Sequence, residues 1–151
     1  MFCYLGLVFG DLSSGLLSQA LKSRKKAVLL FMLLTLAAIG LYFLQGSRSP
    51  EFFYGVCLAL GFSCGYWAVF VTIAAEQFGT NLRATVATTV PNFVRGMVVP
   101  ITLLFQSFRQ YFGLTGGALA VGTICVAAGF LALASLEETF HKDLDYYEEF
   151  P

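Results

Sequence analysis

Charged residues are scarce in this sequence. Only 12% of its 151 residues are Asp, Glu, Lys or Arg, whereas a soluble domain carries about 25%. The formal net charge is zero, 58% of the residues are hydrophobic, and the mean hydropathy is +0.76. A chain of this length has too little interior to hide so many apolar side chains from water. We therefore expect an integral membrane protein with the lipid bilayer as its surroundings, and no nucleic acid as a partner.

Residues that carry chemistry are scarce too. The chain has one histidine, His141, far along towards its end, and four cysteines that all fall within apolar runs: Cys3, Cys57, Cys64 and Cys125. The cysteines lack the spacing of zinc ligands and are read as small packed apolar residues. No nucleophile–histidine–acid set and no phosphate-binding loop is present. The sequence predicts no enzyme, no cofactor and no metal site.

Long apolar runs are what the sequence has instead. Five of them cover residues 2–21, 27–44, 52–75, 85–108 and 112–136, and about 20 residues suffice for a helix to cross a bilayer. Backbone amides in lipid must be bonded within their own segment, and runs this long exceed the strands of a barrel. The predicted fold is an all-α membrane bundle of five transmembrane helices over residues 1–136, followed by a cytoplasmic tail over residues 137–151.

Basic residues distinguish the two ends of this bundle. One end would hold Lys22, Arg24, Lys25, Lys26, Arg83 and Lys142, and the other Arg48 and Arg109. Because short cytoplasmic loops carry an excess of Lys and Arg, this asymmetry predicts an N-terminus outside and a C-terminus in the cytoplasm. An odd number of spans agrees with that. The expected location is the plasma (inner) membrane.

Polar side chains are unevenly spread over the five runs. They concentrate in the first, third and fourth, which we expect to face protein or a water-filled path: Asp11, Gln19, Tyr66, Trp67, Asn92, Arg95 and Gln106. The second and fifth runs are predicted to be lipid-facing. Pro91 and Pro100 are expected to kink or break the fourth run. The pattern Gly61-x-x-x-Gly65 suits close packing of helices.

Asp11 and Arg95 are the ionisable residues well inside spans. Each lies about ten residues from the predicted cytoplasmic face, which is roughly 15 Å deep in a helix. An ionised side chain at that depth needs a partner or a cavity. Two interpretations stay open: the residues line a substrate or ion path, or they pair with each other or with another part of the protein to hold helices together.

The polar stretch between the third and fourth runs carries a resemblance. Glu76-Gln77-Phe78-Gly79-Thr80-Asn81-Leu82-Arg83-Ala84 resembles the cytoplasmic loop between the tenth and eleventh helices of major facilitator superfamily transporters. In the sugar-porter-like branch that loop reads roughly Glu-x-Phe-Pro-x-x-x-Arg-Gly/Ala, and Gly79 stands here at the usual proline. Residues 15–26 are similar to a degenerate copy of the family's Gly-x-x-x-Asp-Arg-x-Gly-Arg-Arg loop. Residues 137–144 resemble its Pro-Glu-Thr-x-Gly-x-x-Leu signature.

The resemblance implies helices eight to twelve of a twelve-helix transporter, or most of its C-terminal six-helix half. Such a chain would be part of a secondary active transporter that moves a small polar or anionic solute, such as a sugar or a carboxylate, by ion-coupled alternating access. Its partners would be the missing N-terminal half and the solute. The pathway candidates are Arg95, Asn92, Asp11, Tyr66 and Trp67. A cytoplasmic charge latch is implied at Glu76 and Arg83, with Arg24 or Lys25 able to reach Glu76.

The alternative is a non-transporting membrane scaffold or partner subunit, or an inactive fragment, derived from such a transporter. The chain is then a fragment, a truncated reading frame, or a unit whose functional start lies upstream of Met1. The identity of the solute and the coupling ion does not follow from the fold, because one framework carries many solutes.

Overall fold

The structure, a computed structural model, describes residues 1–44, 49–142, 145 and 147. Every regular element in that part of the chain is a helix. The helices are α1 (Phe2–Ala20), α2 (Arg24–Leu44), α3 (Pro50–Ser63), α4 (Trp67–Glu76), α5 (Thr80–Gly96) and α6 (Val98–Ser135). The all-α prediction is confirmed for these residues. Arg48, which was counted in a predicted loop, and much of the predicted tail beyond Lys142 lie outside them.

Three helical segments of the described chain are long and apolar enough to cross a membrane: Arg24–Leu44, Pro50–Glu76 and Thr80–Ser135. The second joins α3 to α4, and the third joins α5 to α6. Large apolar side chains cover the outside of the bundle, and Phe93 and Leu131 are each more than 70% exposed. Apolar surface of this extent is unfavourable in water. These features indicate a membrane protein.

Helices α1 and α3 pack through glycines. A Cβ atom added to Gly61 would lie 1.9 Å from the carbonyl oxygen of Cys3, and one added to Gly65 would lie 2.5 Å from Cα of Gly10. Backbones that approach this closely gain dispersion contacts, which drive helix association in lipid where apolar burial does not. The predicted role of Gly61-x-x-x-Gly65 in close packing is confirmed, and its counterpart is Gly6-x-x-x-Gly10 on α1.

Helix α2 is central in the described bundle. It contacts α1, α3, α4 and α6, and its Ala27, Val28 and Phe31 are buried. The Phe31 ring stacks on Phe62 with the centroids 5.7 Å apart. The prediction that the second run is lipid-facing is therefore wrong for this face of α2. Apolar side chains suit a helix partner and a lipid tail equally, so a lack of polar residues does not identify the periphery.

The third apolar run is divided into two helices. Helix α3 ends at Ser63 and α4 begins at Trp67, with residues 64–66 between them. Tyr66 has φ −127° and ψ 21°, outside the helical region. We call residues 64–66 the hinge.

The fourth run, residues 85–108, is divided between helices α5 and α6. Helix α5 continues through Pro91 to Gly96, and α6 begins at Val98, just ahead of Pro100. Helix α6 bends at Gly113, where φ is 71° and ψ is −177°. A Cβ atom on Gly117 would lie 2.9 Å from the Arg109 nitrogen, although residues eight apart in a straight helix are about 12 Å apart. The chain thus turns at Gly113, just after the break predicted at residues 109–111.

Candidate functional site

Three chain segments meet at one end of the bundle: the α1–α2 connection, the end of α4 and the segment after α6. Arg24 and Glu76 form an ion pair there, with Nη2 3.1 Å from Oε1 and Nε 3.4 Å from Oε2. Their side chains are only 16% and 10% exposed. Two roughly parallel bonds are a strong and specific arrangement for an arginine with a carboxylate. Of the two bases expected to reach Glu76, Arg24 does so, while the latch role stays a prediction.

The other groups of this ion pair are bonded as well. Nη1 of Arg24 donates to Oγ of Ser18 at 2.8 Å, and its guanidinium lies 5.3 Å from the centre of the Phe140 ring. The Thr139 hydroxyl donates to Oε2 of Glu76 at 2.5 Å. Buried charges are tolerated when they are paired and hydrogen-bonded in this way. We call Ser18, Arg24, Glu76, Thr139 and Phe140 the charged cluster.

Glu138 binds the start of α2. Its Oε1 accepts from the backbone N–H of Arg24 at 2.9 Å, and its Oε2 accepts from the N–H of Lys25 at 3.3 Å and from the Ser23 hydroxyl. The first N–H groups of a helix have no partner within the helix and carry partial positive charge. A carboxylate from a segment far along the chain supplies that partner here.

Lys25 and Arg83 contact other groups at this end. Nζ of Lys25 donates to the carbonyl oxygen of Leu136 at 2.5 Å, and so satisfies the end of α6. Nη2 of Arg83 lies 3.5 Å from the carbonyl oxygen of Phe78. Arg83 and Glu76 also line one cavity of about 550 Å³ between α4 and α5. Of the predicted latch residues, the structure therefore joins Arg24 directly to Glu76.

Glu138 makes the stability of this end depend on pH. Burial alone would raise the pKa of its carboxyl, but hydrogen bonds from Ser23 and from the amides of Arg24, Phe140 and Lys25 outweigh burial, so the pKa is lowered from its usual 4.5. The folded state then binds this proton more weakly than the unfolded state. The stabilisation is fully present above about pH 4.5 and is lost as the pH falls through the folded-state pKa.

We expect the melting temperature in detergent to fall as the pH is lowered below about 4.5, and Glu138→Gln to reduce that fall. The matched control is Glu137→Gln, which removes the neighbouring exposed carboxylate. It should keep the full pH dependence. Equal pH profiles for the two variants would contradict the capping role of Glu138.

Asp11 lies beside the hinge. Its Oδ1 accepts from the backbone N–H of Ala68, in the first turn of α4, at 3.2 Å. From the other side, the hydroxyl of Thr35 donates to the carbonyl oxygen of Ser63, at the end of α3, at 3.0 Å. In a continuous helix these two backbone groups would bond within the helix itself. Side chains of α1 and α2 replace those bonds.

The remaining pathway candidates are distributed over α4 and α5. Tyr66 precedes α4 and is half-buried, and Trp67 is its exposed first residue. Asn92 is exposed, and its Nδ2 donates to a carbonyl oxygen of its own helix at 3.1 Å. Arg95 is exposed near the end of α5. Asp11 and Arg95 form no ion pair with each other in the described structure. Asp11 instead contacts α4, which agrees with the interpretation that it holds helices together, and a partner for Arg95 in another part of the protein stays a prediction.

Sequence reasoning missed several contributors to these sites, among them Ser18, Thr35, Glu138 and Thr139. Glu138 and Thr139 fall in the segment that resembles a family signature, so that segment was the available signal. Thr35 was visible as nearly the only polar residue of the second run. Nothing in the sequence marked Ser18, since its role depends on the direction in which the Arg24 side chain points.

No group of three or more His, Cys, Asp or Glu residues in the described chain could hold a metal ion. The four cysteines are free. No protein-family model, curated protein or solved structure matches the chain.

Proposed function

We propose that the chain is the C-terminal part of a secondary active transporter of the major facilitator type. It corresponds to helices eight to twelve, crosses the plasma membrane five times from an outer N-terminus, and moves a small polar or anionic solute by ion-coupled alternating access. The observation that carries the proposal is the Arg24–Glu76 ion pair, to which Thr139 of the segment after α6 is hydrogen-bonded.

Alternating access needs an interaction that is made in one state and absent in another. The Arg24–Glu76 pair suits such a role, because it joins the start of α2 to the end of α4 through side-chain atoms alone. It can break without loss of any helix. Its basic surroundings match the cytoplasmic side by the positive-inside rule.

Arg95 supports the proposal that the transported solute is anionic. It is exposed near the end of α5 between apolar neighbours, with Phe93 72% and Met97 53% exposed. Its side chain makes no hydrogen bond or ion pair with another residue of the described chain. An ionised arginine within a span costs a few kcal/mol unless a partner or a water-filled path receives it. A carboxylate of the solute, approaching through such a path, would supply the counter-charge.

The exposed surface of helix α5 also supports the proposal that an N-terminal half of the transporter packs against this chain. It contains no buried residue, and its exposed side includes Thr85, Thr88, Thr89 and Asn92. Exposed hydroxyl and amide groups on a membrane helix suit a cavity wall shared with another helical unit. If another protein covers this side of α5, the same observation favours the second candidate function, a non-transporting scaffold or partner subunit.

The reading frame upstream of the Met1 codon gives the first test. We expect six or seven further spans there. If no further spans are encoded there, the transporter proposal would be rejected in favour of the non-transporting scaffold.

Uptake of labelled solutes by cells that express the complete transporter gives the second test. Arg95→Gln is expected to reduce uptake of a carboxylate about tenfold or more, because a charge-assisted contact contributes roughly 1.5–3 kcal/mol, and to change sugar uptake less. Arg109→Gln, at an exposed arginine of α6, is the matched control and should leave both unchanged. Equal effects of the two variants would count against a solute contact at Arg95.

A further inference from the structure

We infer that Asp11 and Thr35 are positioning residues that clamp the hinge, so that α4 is a short lever held at its start by Asp11 and at its end by Arg24. The use of this lever in transport rests on the proposed function. The clamp itself is a property of the folded chain and can be tested without any transport measurement.

The clamp on α3 comes from α2. The Thr35 hydroxyl lies 2.9 Å from the carbonyl oxygen of Phe31 in its own helix and 3.0 Å from that of Ser63 across the interface. A backbone carbonyl left without a donor inside a membrane costs several kcal/mol. The contact from α2 therefore fixes where α3 ends.

The clamp on α4 comes from α1. The Asp11 carboxylate accepts from the N–H of Ala68, and a negative charge is stabilised at the start of a helix by the partial positive charge there. Gly10 and Gly65 hold Asp11 in place, since their backbones are so close that a Cβ on Gly65 would lie 2.5 Å from Gly10. Asp11 is thus fixed against the first turn of α4.

The backbone between the two clamps is held by short turns. Within the hinge, the N–H of Cys64 donates to the carbonyl oxygen of Leu60 at 3.1 Å, which continues the pattern of α3 by one residue. The N–H of Gly65 donates to Phe62 at 3.0 Å and that of Tyr66 to Cys64 at 2.9 Å, and these two are local turns and not α-helical bonds.

Helix α4 has ten residues, Trp67–Glu76, about 15 Å in length. Its first turn is bonded to Asp11, and its last residue is bonded to Arg24 in the charged cluster. Between those ends, Val69 and Ile73 of α4 pack with Val28 and Leu133 in the buried core, so loss of both end contacts would leave α4 held by that core alone.

Hydrogen exchange of the purified chain in lipid nanodiscs tests the clamp on α4. In Asp11→Leu, amides of the first turn of α4 should exchange about tenfold faster, as expected for the loss of one hydrogen bond to a charged group. Asp11→Asn retains an acceptor oxygen and should restore most of the protection. Ser13→Leu makes a comparable change two residues away and should leave that turn unchanged.

Trp67, the only tryptophan of the chain, reports on the clamp from α2. Thr35→Val should lower its fluorescence anisotropy by adding local motion of α4. Thr123→Val should not, because the hydroxyl of Thr123 donates to Leu119 of its own helix. The two substitutions remove the same group and differ in whether it reaches another helix.

Several outcomes would overturn the inference. One is exchange in the first turn of α4 that stays within about twofold of wild type in folded Asp11→Leu. Another is faster exchange spread evenly over α1 to α4, since that would indicate general destabilisation. If Asp11→Leu does not fold, Asp11→Ala, which removes the same acceptor with a smaller side chain, and Thr35→Val decide. If the variants show the expected changes in hydrogen exchange but the complete protein takes up no solute, the transporter proposal would be removed and the clamp would remain.

Discussion

Replacing Glu76 by Gln is expected to lower the free energy of unfolding by about 3 kcal/mol, because it leaves the guanidinium of Arg24 buried without its counter-ion. The two side chains are only 16% and 10% exposed, so water replaces the lost interaction poorly. The same change weakens the acceptor of the Thr139 hydroxyl. Thermal unfolding of the purified protein in detergent, followed by circular dichroism, measures the effect.

A double-mutant cycle isolates the pair itself. Arg24→Gln combined with Glu76→Gln should destabilise the protein less than the sum of the single changes, with a coupling of at least about 1 kcal/mol. Glu137→Gln applies the same substitution to an exposed carboxylate and should change stability by less than about 0.5 kcal/mol. Additive single effects would mean that the contact between Arg24 and Glu76 is not the source of the loss.

Replacing Gly61 by Ala is expected to have an effect of similar size. The added methyl group would lie 1.9 Å from the carbonyl oxygen of Cys3, so α1 and α3 would have to move apart along their whole contact. Overpacking usually costs about 1–3 kcal/mol, and a clash between two backbones belongs at the upper end of that range. The measurement is again thermal unfolding in detergent.

Gly55 provides the control on the same helix. A Cβ atom there would meet nothing within 4 Å, so Gly55→Ala should raise stability by up to about 1 kcal/mol through helix propensity. Opposite signs for the two variants would assign the cost at Gly61 to the α1–α3 contact. A similar loss at both positions would contradict it.

Composition and run length were sufficient to predict helices and a membrane protein, because those properties depend on backbone hydrogen bonding and side-chain apolarity alone. The contact between Arg24 and Glu76 was anticipated only through the resemblance to the transporter loops. That resemblance left Arg24 and Lys25 both open as the base that reaches Glu76.

The break in the third run was not foreseeable from its own residues. No proline or charge interrupts residues 52–75, and a local pattern therefore predicts one continuous helix. The break depends on Thr35 and Asp11, which approach from other helices and satisfy the backbone groups that it exposes. Pro91 predicted a kink or a break, and α5 continues through it to Gly96, so the helix is not broken at Pro91. The central place of α2 was hidden for a different reason, since its buried and lipid-facing sides have the same composition.

The cap that Glu138 places on α2 has a consequence for biosynthesis. The amide of Arg24 and the carboxylate that accepts from it are 114 positions apart. At the usual 5–20 residues per second, the ribosome needs roughly 6–23 s to cover that distance. Throughout that time the nascent α2 has already been made, but the acid that completes its first turn has not. Final closure of the basic end of the bundle must therefore follow synthesis of all six helices, and it cannot accompany the insertion of the first pair.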